Sequence, residues 1–217
     1  MKIEYLGHSC FKLTTKNGTT VVTDPYTGVG YELPKPLRAD LVTVSHEHFD
    51  HNYVQGVQCE KVLRGVKNLA YKDIIVTAVE TDHDPKGGSL RGKNTVYTFE
   101  MDGIRVSHLG DLGEPYNEKT ARKLGNADIL LIPVGGTYTI DAENAIRYLN
   151  AIRPKMAVLM HYRPNDGTID IAPAESFISL YGKEKVLAPL ENYIQVEKEG
   201  LTGLDRNVVY LQRGNSL

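Results

Sequence analysis

Apolar residues fall into two regimes along this chain. In the first half they form short runs with β-branched and aromatic content at 3–6, 10–14 and 19–23, which predict three strands. Lys16-Asn17-Gly18 supplies turn chemistry between the second and third, and Asp24-Pro25-Tyr26-Thr27-Gly28 ends the third. The run at 41–44 is apolar enough for a central strand. Further strands are predicted at 74–79, 95–100 and 104–107, the last two joined by Met101-Asp102-Gly103. In the second half, helix alternates with strand. Residues 117–124, 141–151 and 173–181 predict helices, with Asp141 as an N-cap, apolar Ala145, Ile146, Leu149 and Ile152 at helical spacing, and Pro173 opening the last. Strands are predicted at 128–133, 156–160, 186–187 and 207–211. Strands first and strand–helix alternation afterwards suggest two sheets face to face with helices outside.

Composition narrows this picture little. The 217 residues fit one compact domain, 1–217, that buries roughly 70% of the unfolded chain's surface. With 41% hydrophobic and 24% charged residues the chain reads as soluble and globular. A net charge of −2 provides no bulk basic field for nucleic acid or anionic membrane. Cys10 and Cys59 form no CxxC pair and no disulfide scaffold. The N-terminus enters strand-like sequence directly and no apolar run is long enough to span a bilayer, so the expected compartment is the cytoplasm, without a membrane partner.

The histidines change the picture most. There are seven, and three of them lie in Ser45-His46-Glu47-His48-Phe49-Asp50-His51, directly after the central strand. Imidazole and carboxylate together suit zinc, iron, nickel or manganese. On a strand His46, His48 and Asp50 would share a face, and a turn after His48 would swing Asp50 and His51 toward a second ion. His83 and His161 each follow an apolar run, and His108 ends one, with Asp111 three residues on. Donor side chains at the ends of neighbouring strands can converge on one edge of a scaffold.

These residues resemble the metallo-β-lactamase superfamily, in the small branch of L-ascorbate-6-phosphate lactonase-like proteins and metal-dependent hydrolases. The resemblance rests on Leu6-Gly7-His8-Ser9, Val22-Thr23-Asp24-Pro25, the 45–51 motif, His83, His108-Leu109-Gly110-Asp111, the segment 133–142 and His161-Tyr162. It implies an α/β (α+β) fold, a four-layer αββα sandwich, with a binuclear site of two divalent ions, most often Zn2+, with Mn2+, Ni2+ or Fe2+ as alternatives. By motif position His46, His48 and His83 hold one ion, Asp50, His51 and His161 the other, and Asp111 bridges them. His83 departs from the branch pattern in its neighbours Asp82 and Asp84-Pro85. Asp24 is expected to orient the histidine loop. His8 is expected in a structural turn, in an outer shell or against substrate, and His108 in a structural or supporting role. An assembly of identical chains is implied by the resemblance alone.

Two such ions generate a hydroxide nucleophile from a bridging water at neutral pH. The expected reaction is hydrolysis of an ester, lactone or phosphodiester in a small-molecule substrate, with Asp50 orienting the nucleophile and relaying its proton. Tyr162 is a candidate donor to a leaving group or oxyanion and Arg163 a candidate anion anchor. The glycine-rich, cationic loop 86–93 either binds a phosphate or carboxylate near the metals or is a solvated hairpin loop. The rival readings are a nuclease acting on RNA or DNA, against which the net charge stands, and a di-iron redox or sensing protein of the same fold.

Overall fold

In a computed structural model, residues 1–214 are described. The strands in chain order are β1 (Lys2–Gly7), β2 (Cys10–Thr14), β3 (Thr20–Thr23), β4 (Arg38–Val44), β5 (Gln58–Arg64), β6 (Leu69–Tyr71), β7 (Ile74–Asp82), β8 (Lys93–Met101), β9 (Ile104–His108), β10 (Ile129–Pro133), β11 (Met156–Met160), β12 (Val186–Leu187), β13 (Tyr193–Gln195) and β14 (Asn207–Val209). The helices are α1 (Glu118–Leu124), α2 (Ala142–Ile152) and α3 (Ala174–Tyr181). One sheet has the order β13-β1-β2-β3-β4-β5 and the other β12-β14-β11-β10-β9-β8-β7-β6.

The architecture is the sandwich expected of the metallo-β-lactamase type. Strand alternation in the six-stranded sheet sends Ile3, Tyr5, Phe11, Leu13, Val21 and Leu41 into a core shared with the larger sheet. The intervening residues Leu6, Cys10, Val22, Val42 and Val44 pack on the opposite face. Each large buried apolar side chain contributes about 1.5–3 kcal/mol relative to exposure. The covering layer on that opposite face comes from Tyr26, Val29, Leu33, Leu37 and Val57, on the crossover segments that join the parallel strands β3, β4 and β5. The three α-helices belong to the larger sheet. There β9, β10 and β11 are parallel neighbours, so right-handed crossovers put α1 and α2 on one face.

Local chemistry explains the helix bounds. Asn117 and Asp141 each accept a backbone N–H in the first turn, from Thr120 and Asn144, and α2 ends where Arg153 adopts the left-handed conformation. Ala145, Tyr148 and Leu149 form the buried stripe of α2.

Three strands have no counterpart among the predicted ones: β5, β6 and β13. All three are sheet edges. In β5 only Leu63 is fully buried, so no period-two pattern marks it. Among the described residues, no helix is long and apolar enough to cross a membrane.

The feature that matters for chemistry is strand direction. β1, β3 and β4 in one sheet, and β7, β9 and β11 in the other, all end on the same edge of the sandwich. Each is followed by a residue of the candidate cluster: His8, Asp24, His46, His83, Asp111 and His161.

Candidate metal centre

Three groups of donor atoms gather at that edge. His46, His48 and His83 form one, and His8, Asp50, His51 and His161 another; within each, the ligand atoms all lie within 4.8 Å of one another. Asp24 with His46 and His51 makes a third such group. Asp111 lies between the first two. Its Oδ1 is 3.1 Å from His51 Nε2, and its Oδ2 is 3.3, 3.5 and 3.9 Å from Nε2 of His161, His83 and His46. Thus all seven residues expected as ligands come together, and His8 joins them.

Asp24 organises the 45–51 loop. One carboxylate oxygen accepts the Ser45 backbone N–H at 2.8 Å, and the other accepts the Ser45 hydroxyl and the His51 Nδ1–H at 2.8 Å. Because the hydroxyl proton goes to Asp24, Ser45 Oγ accepts from His46 Nδ1, 2.9 Å away. Both rings therefore keep a proton on Nδ1 and turn Nε2 toward the cluster. Asp24 is fully buried. Burial alone would raise its pKa, but His108 and His51 hold it below the usual carboxylate range.

Asp111 is positioned by its backbone. Its N–H donates to Asn94 Oδ1 at 2.9 Å, while Asn94 Nδ2 donates to Thr81 Oγ1 and to the Leu109 carbonyl. A Cβ at Gly110 would come within 2.3 Å of Asn94 Oδ1, so this approach requires glycine. His108 is pinned: Nε2 donates to the Ser9 carbonyl at 2.8 Å and Nδ1 accepts from the Gly110 N–H. With both nitrogens spent, it supports the fold beneath the cluster.

The polar bookkeeping around the cluster tests whether metal fits. Among the described residues nine buried side-chain polar atoms lack a hydrogen-bond partner, and six belong to His46, His51, His83, Asp111 and His161. Buried polar atoms are ordinarily paired, so a concentration of this kind calls for a ligand. Burial, followed by the neighbouring His51, depresses His46 to about 3, so it stays neutral and able to donate a lone pair. His51 behaves oppositely. Burial would lower its pKa, but Asp111 and Asp24 on either side raise it well above the ordinary value. The space between His51 Nε2 and Asp111 favours positive charge, which a bound cation would supply.

One sequence expectation needs correction, and of the two readings of loop 86–93 one loses its support. Tyr162 is no candidate donor to substrate, because its hydroxyl donates to the Leu211 carbonyl at 2.5 Å and its ring packs between Tyr5 and Tyr210. Loop 86–93 offers no backbone nest for an external anion. The buried Asp84 carboxylate already accepts the N–H groups of Lys86, Gly88, Leu90 and Arg91. Of the loop's cations, Lys93 pairs with Asp82 and Arg91 stacks on Tyr138. Arg163 lies outside the donor cluster, partly exposed, its guanidinium 3.7 Å from Asp170.

Ser45 and Asn94 are supporting residues that the sequence reading did not single out. Ser45 had a local signal, a hydroxyl directly before a ligand-type histidine. Asn94 had none, because its partner lies 17 residues away.

Comparison with known proteins supplies an independent line. The profile of the beta-lactamase superfamily domain matches residues 2–161. A UPF0173 protein of Pyrococcus abyssi is 30% identical over 205 residues, covering 82% of this chain and 89% of its own length. A UPF0173 metal-dependent hydrolase of Thermoplasma acidophilum is 29% identical over 211 residues, covering 84% and 91%. A crystal structure from Thermotoga maritima, named as a candidate Zn-dependent hydrolase of the metallo-beta-lactamase superfamily, superposes with a TM-score of 0.76 at 32% identity. It covers 96% of this chain and 97% of its own.

Proposed function

Because this chain belongs to the beta-lactamase superfamily domain family, we propose that it is a metal-dependent hydrolase working with two divalent ions, zinc foremost, on an ester, lactone or phosphodiester of a small molecule. The single observation that carries this reading is the convergence of Nε2 atoms from His46, His51, His83 and His161 around the Asp111 carboxylate, those of His46, His51 and His161 buried and without a hydrogen-bond partner. His46, His48 and His83 would hold one ion, Asp50, His51 and His161 the other, and Asp111 both. The relatives named as metal-dependent or candidate Zn-dependent hydrolases support the reaction class.

When bound, such ions supply a hydroxide nucleophile at neutral pH and polarise the bond to be cleaved. The protein's own contribution begins with tautomers. Asp24 and Ser45 keep the protons of His46 and His51 on Nδ1, so neither ring needs to rearrange before binding. Asp50 stays ionised: burial would raise its pKa, but His8 and His51 bring it well below the ordinary value. An ionised carboxylate beside the reacting centre can orient the nucleophile and take up its proton. The exposed side of the cluster is at His48, next to Phe49, which is 55% exposed and gives the opening an apolar lip suited to an organic substrate.

The test is elemental analysis of the purified protein together with an esterase, lactonase and phosphodiesterase panel, repeated after chelation and after metal add-back. Hydrolysis lost on chelation and restored by Zn2+ or Mn2+ is expected. Asp50→Asn should lower the rate by about 10²–10⁴-fold, the range of a positioned acid–base group. Activity indifferent to chelation would overturn the reading.

A further inference from the structure

His8 ends β1 in a conformation its side chain does not favour. Its φ is +52°, in the left-handed region that costs a non-glycine residue roughly 1–2 kcal/mol. The preceding Gly7, at φ +116°, threads between Tyr31 and Tyr26, where a Cβ would come within 2.7 Å of the Tyr31 ring and 2.8 Å of the Tyr26 hydroxyl. Three hydrogen bonds then hold His8 in place. Its N–H donates to Tyr31 Oη at 3.0 Å, and its carbonyl accepts from Tyr5 Oη at 3.1 Å and from the His161 N–H at 2.8 Å. His161 also sits at positive φ, +50°. Strain over-determined by its surroundings marks functional positions.

The strain serves to turn the His8 ring inward. The residue is 1% exposed, its ring centroid is 4.3 Å from that of His161 and 5.1 Å from that of His51, and Nε2 is 3.1 Å from Asp50 Oδ2. Two ligands of one ion held at about 2.0–2.2 Å lie roughly 3–3.5 Å apart, which this separation matches. The same distance would suit a hydrogen bond in which His8 merely donates to Asp50. The two roles differ in which way Nε2 faces a cation. An ion held by Asp50, His51 and His161 would meet either an N–H dipole with its positive end forward or a lone pair, and only the lone pair is attracted.

We propose that His8 is a ligand of the inner ion, so that His8, Asp50, His51 and His161 hold it beside the shared Asp111, while the outer set of His46, His48 and His83 remains open toward solvent. This rests on the metal-dependent reading above. It assigns different tasks to the two positions. The inner ion is enclosed by protein donors, as in structural sites, and the outer one keeps room for substrate, as in catalytic sites. The inner site should therefore fill first and release its ion last.

Co2+ and Zn2+ titrations of the 217-residue metal-free protein test this, read by visible absorption and calorimetry. His8→Gln retains an amide N–H that can donate to Asp50 but lacks the imidazole. His8→Asn is a second variant whose residue type tolerates positive φ. In wild type the first equivalent should bind more tightly than the second. Both variants should weaken that first equivalent by more than about 100-fold, beyond the 10–100-fold typical of losing a group that only supports a ligand. His48→Gln should weaken the second equivalent instead. A loss of about 100-fold or less in the first equivalent, with an unchanged Co2+ spectrum, would overturn the role of His8 and leave the hydrolase reading intact. Failure of wild type to bind either ion would overturn the hydrolase reading itself. Should the variants not fold, ¹⁵N-histidine NMR of Zn-loaded wild type decides the matter: a His8 Nε2 without an attached proton supports ligation, and one that keeps its proton refutes it.

Discussion

Two loops bring histidines to the same centre and are stiffened in opposite ways. Loop 45–52 follows β4 and carries His46, His48, Asp50 and His51; loop 83–92 follows β7 and carries His83. Each is organised around a fully buried aspartate. The first loop's aspartate, Asp24, comes from the end of a neighbouring strand and mainly grips side chains, Ser45 and His51. The second loop's, Asp84, is local and grips four of its own backbone amides. Holding side chains fixes tautomers and ring directions, which is what a donor set needs. Holding amides fixes only the path of the chain. The comparison predicts that disturbing Asp24 is a chemical injury to the centre, whereas disturbing Asp84 is a conformational one beside it.

Asp24→Ala should have the largest effect. It strands the Ser45 N–H and hydroxyl and the His51 Nδ1–H in a dry interior. Removing one partner of such a buried charged network costs about 3–5 kcal/mol, to be read as a lower urea midpoint. Asp24→Asn preserves shape but places a donor where an acceptor is needed, and should weaken metal binding about 10–100-fold. Full affinity in Asp24→Asn would show that tautomer control is not its contribution.

Protons reach the same centre by another route. In the metal-free protein burial depresses His8 to about 4 and His46 to about 3, and lowers His83 and His108 as well. The unfolded chain, with histidines near 6.5, binds more protons than the folded one between about pH 6.5 and 4. The stabilisation that comes from these four neutral rings is therefore complete above about 6.5 and falls as pH drops through that window. His51, raised instead, contributes with the opposite sign: its stabilisation is present below 6.5 and is lost as pH rises above it. By pH 5 the loss should reach up to about 2 kcal/mol for each of His8 and His46, from 1.36 kcal/mol per unit. Equal urea midpoints at pH 7 and 5 would contradict neutral, buried rings.

Asn94→Ala probes the strand-borne member that stands between the loops. It leaves the Asp111 N–H and the Leu109 carbonyl without their side-chain partner, at a cost of about 1–3 kcal/mol. Because Asp111 reaches both donor groups, both metal equivalents should weaken together, in contrast to variants on either loop. Selective loss of one equivalent would refute this shared role.

Legibility in the sequence follows the same division. Strands β1 to β4, buried on both faces, showed as short apolar runs with β-branched and aromatic content, and α2 carried its cap and stripe. The edge strands β5, β6 and β13 did not, because pairing on one side and solvent on the other impose no apolar pattern. In the site, the dense motif at 45–51 and histidines directly after apolar strands were visible because metal chemistry restricts residue type. The use of Asn94 was invisible, since any buried polar residue can serve as a backbone clamp and only the fold reveals which one does. Tyr162 misled for a related reason: adjacency to His161 in sequence says nothing of direction, and successive residues at a strand end point to opposite sides.

The smallest effect is expected at the glycine-rich loop. Asp84 is held down to about 2; burial would raise it, but the amides of Arg91, Leu90, Lys86 and Gly88 outweigh burial. Its contribution is therefore present above about pH 4 and lost only as pH falls toward 2. At neutral pH, Asp84→Asn should release hydrogen-exchange protection at the amides of Lys86, Gly88, Leu90 and Arg91, since the amide group has one acceptor oxygen where the carboxylate has two. His83 should keep its place, because its N–H bonds the Gly92 carbonyl and the Asp82 carbonyl accepts from Gly113, neither through Asp84. Metal affinity should then stay within about tenfold of wild type, below the loss expected for a group that supports a ligand directly. A larger loss would mean that the chain path of this loop, like the side chains of the other, is part of what holds the ions.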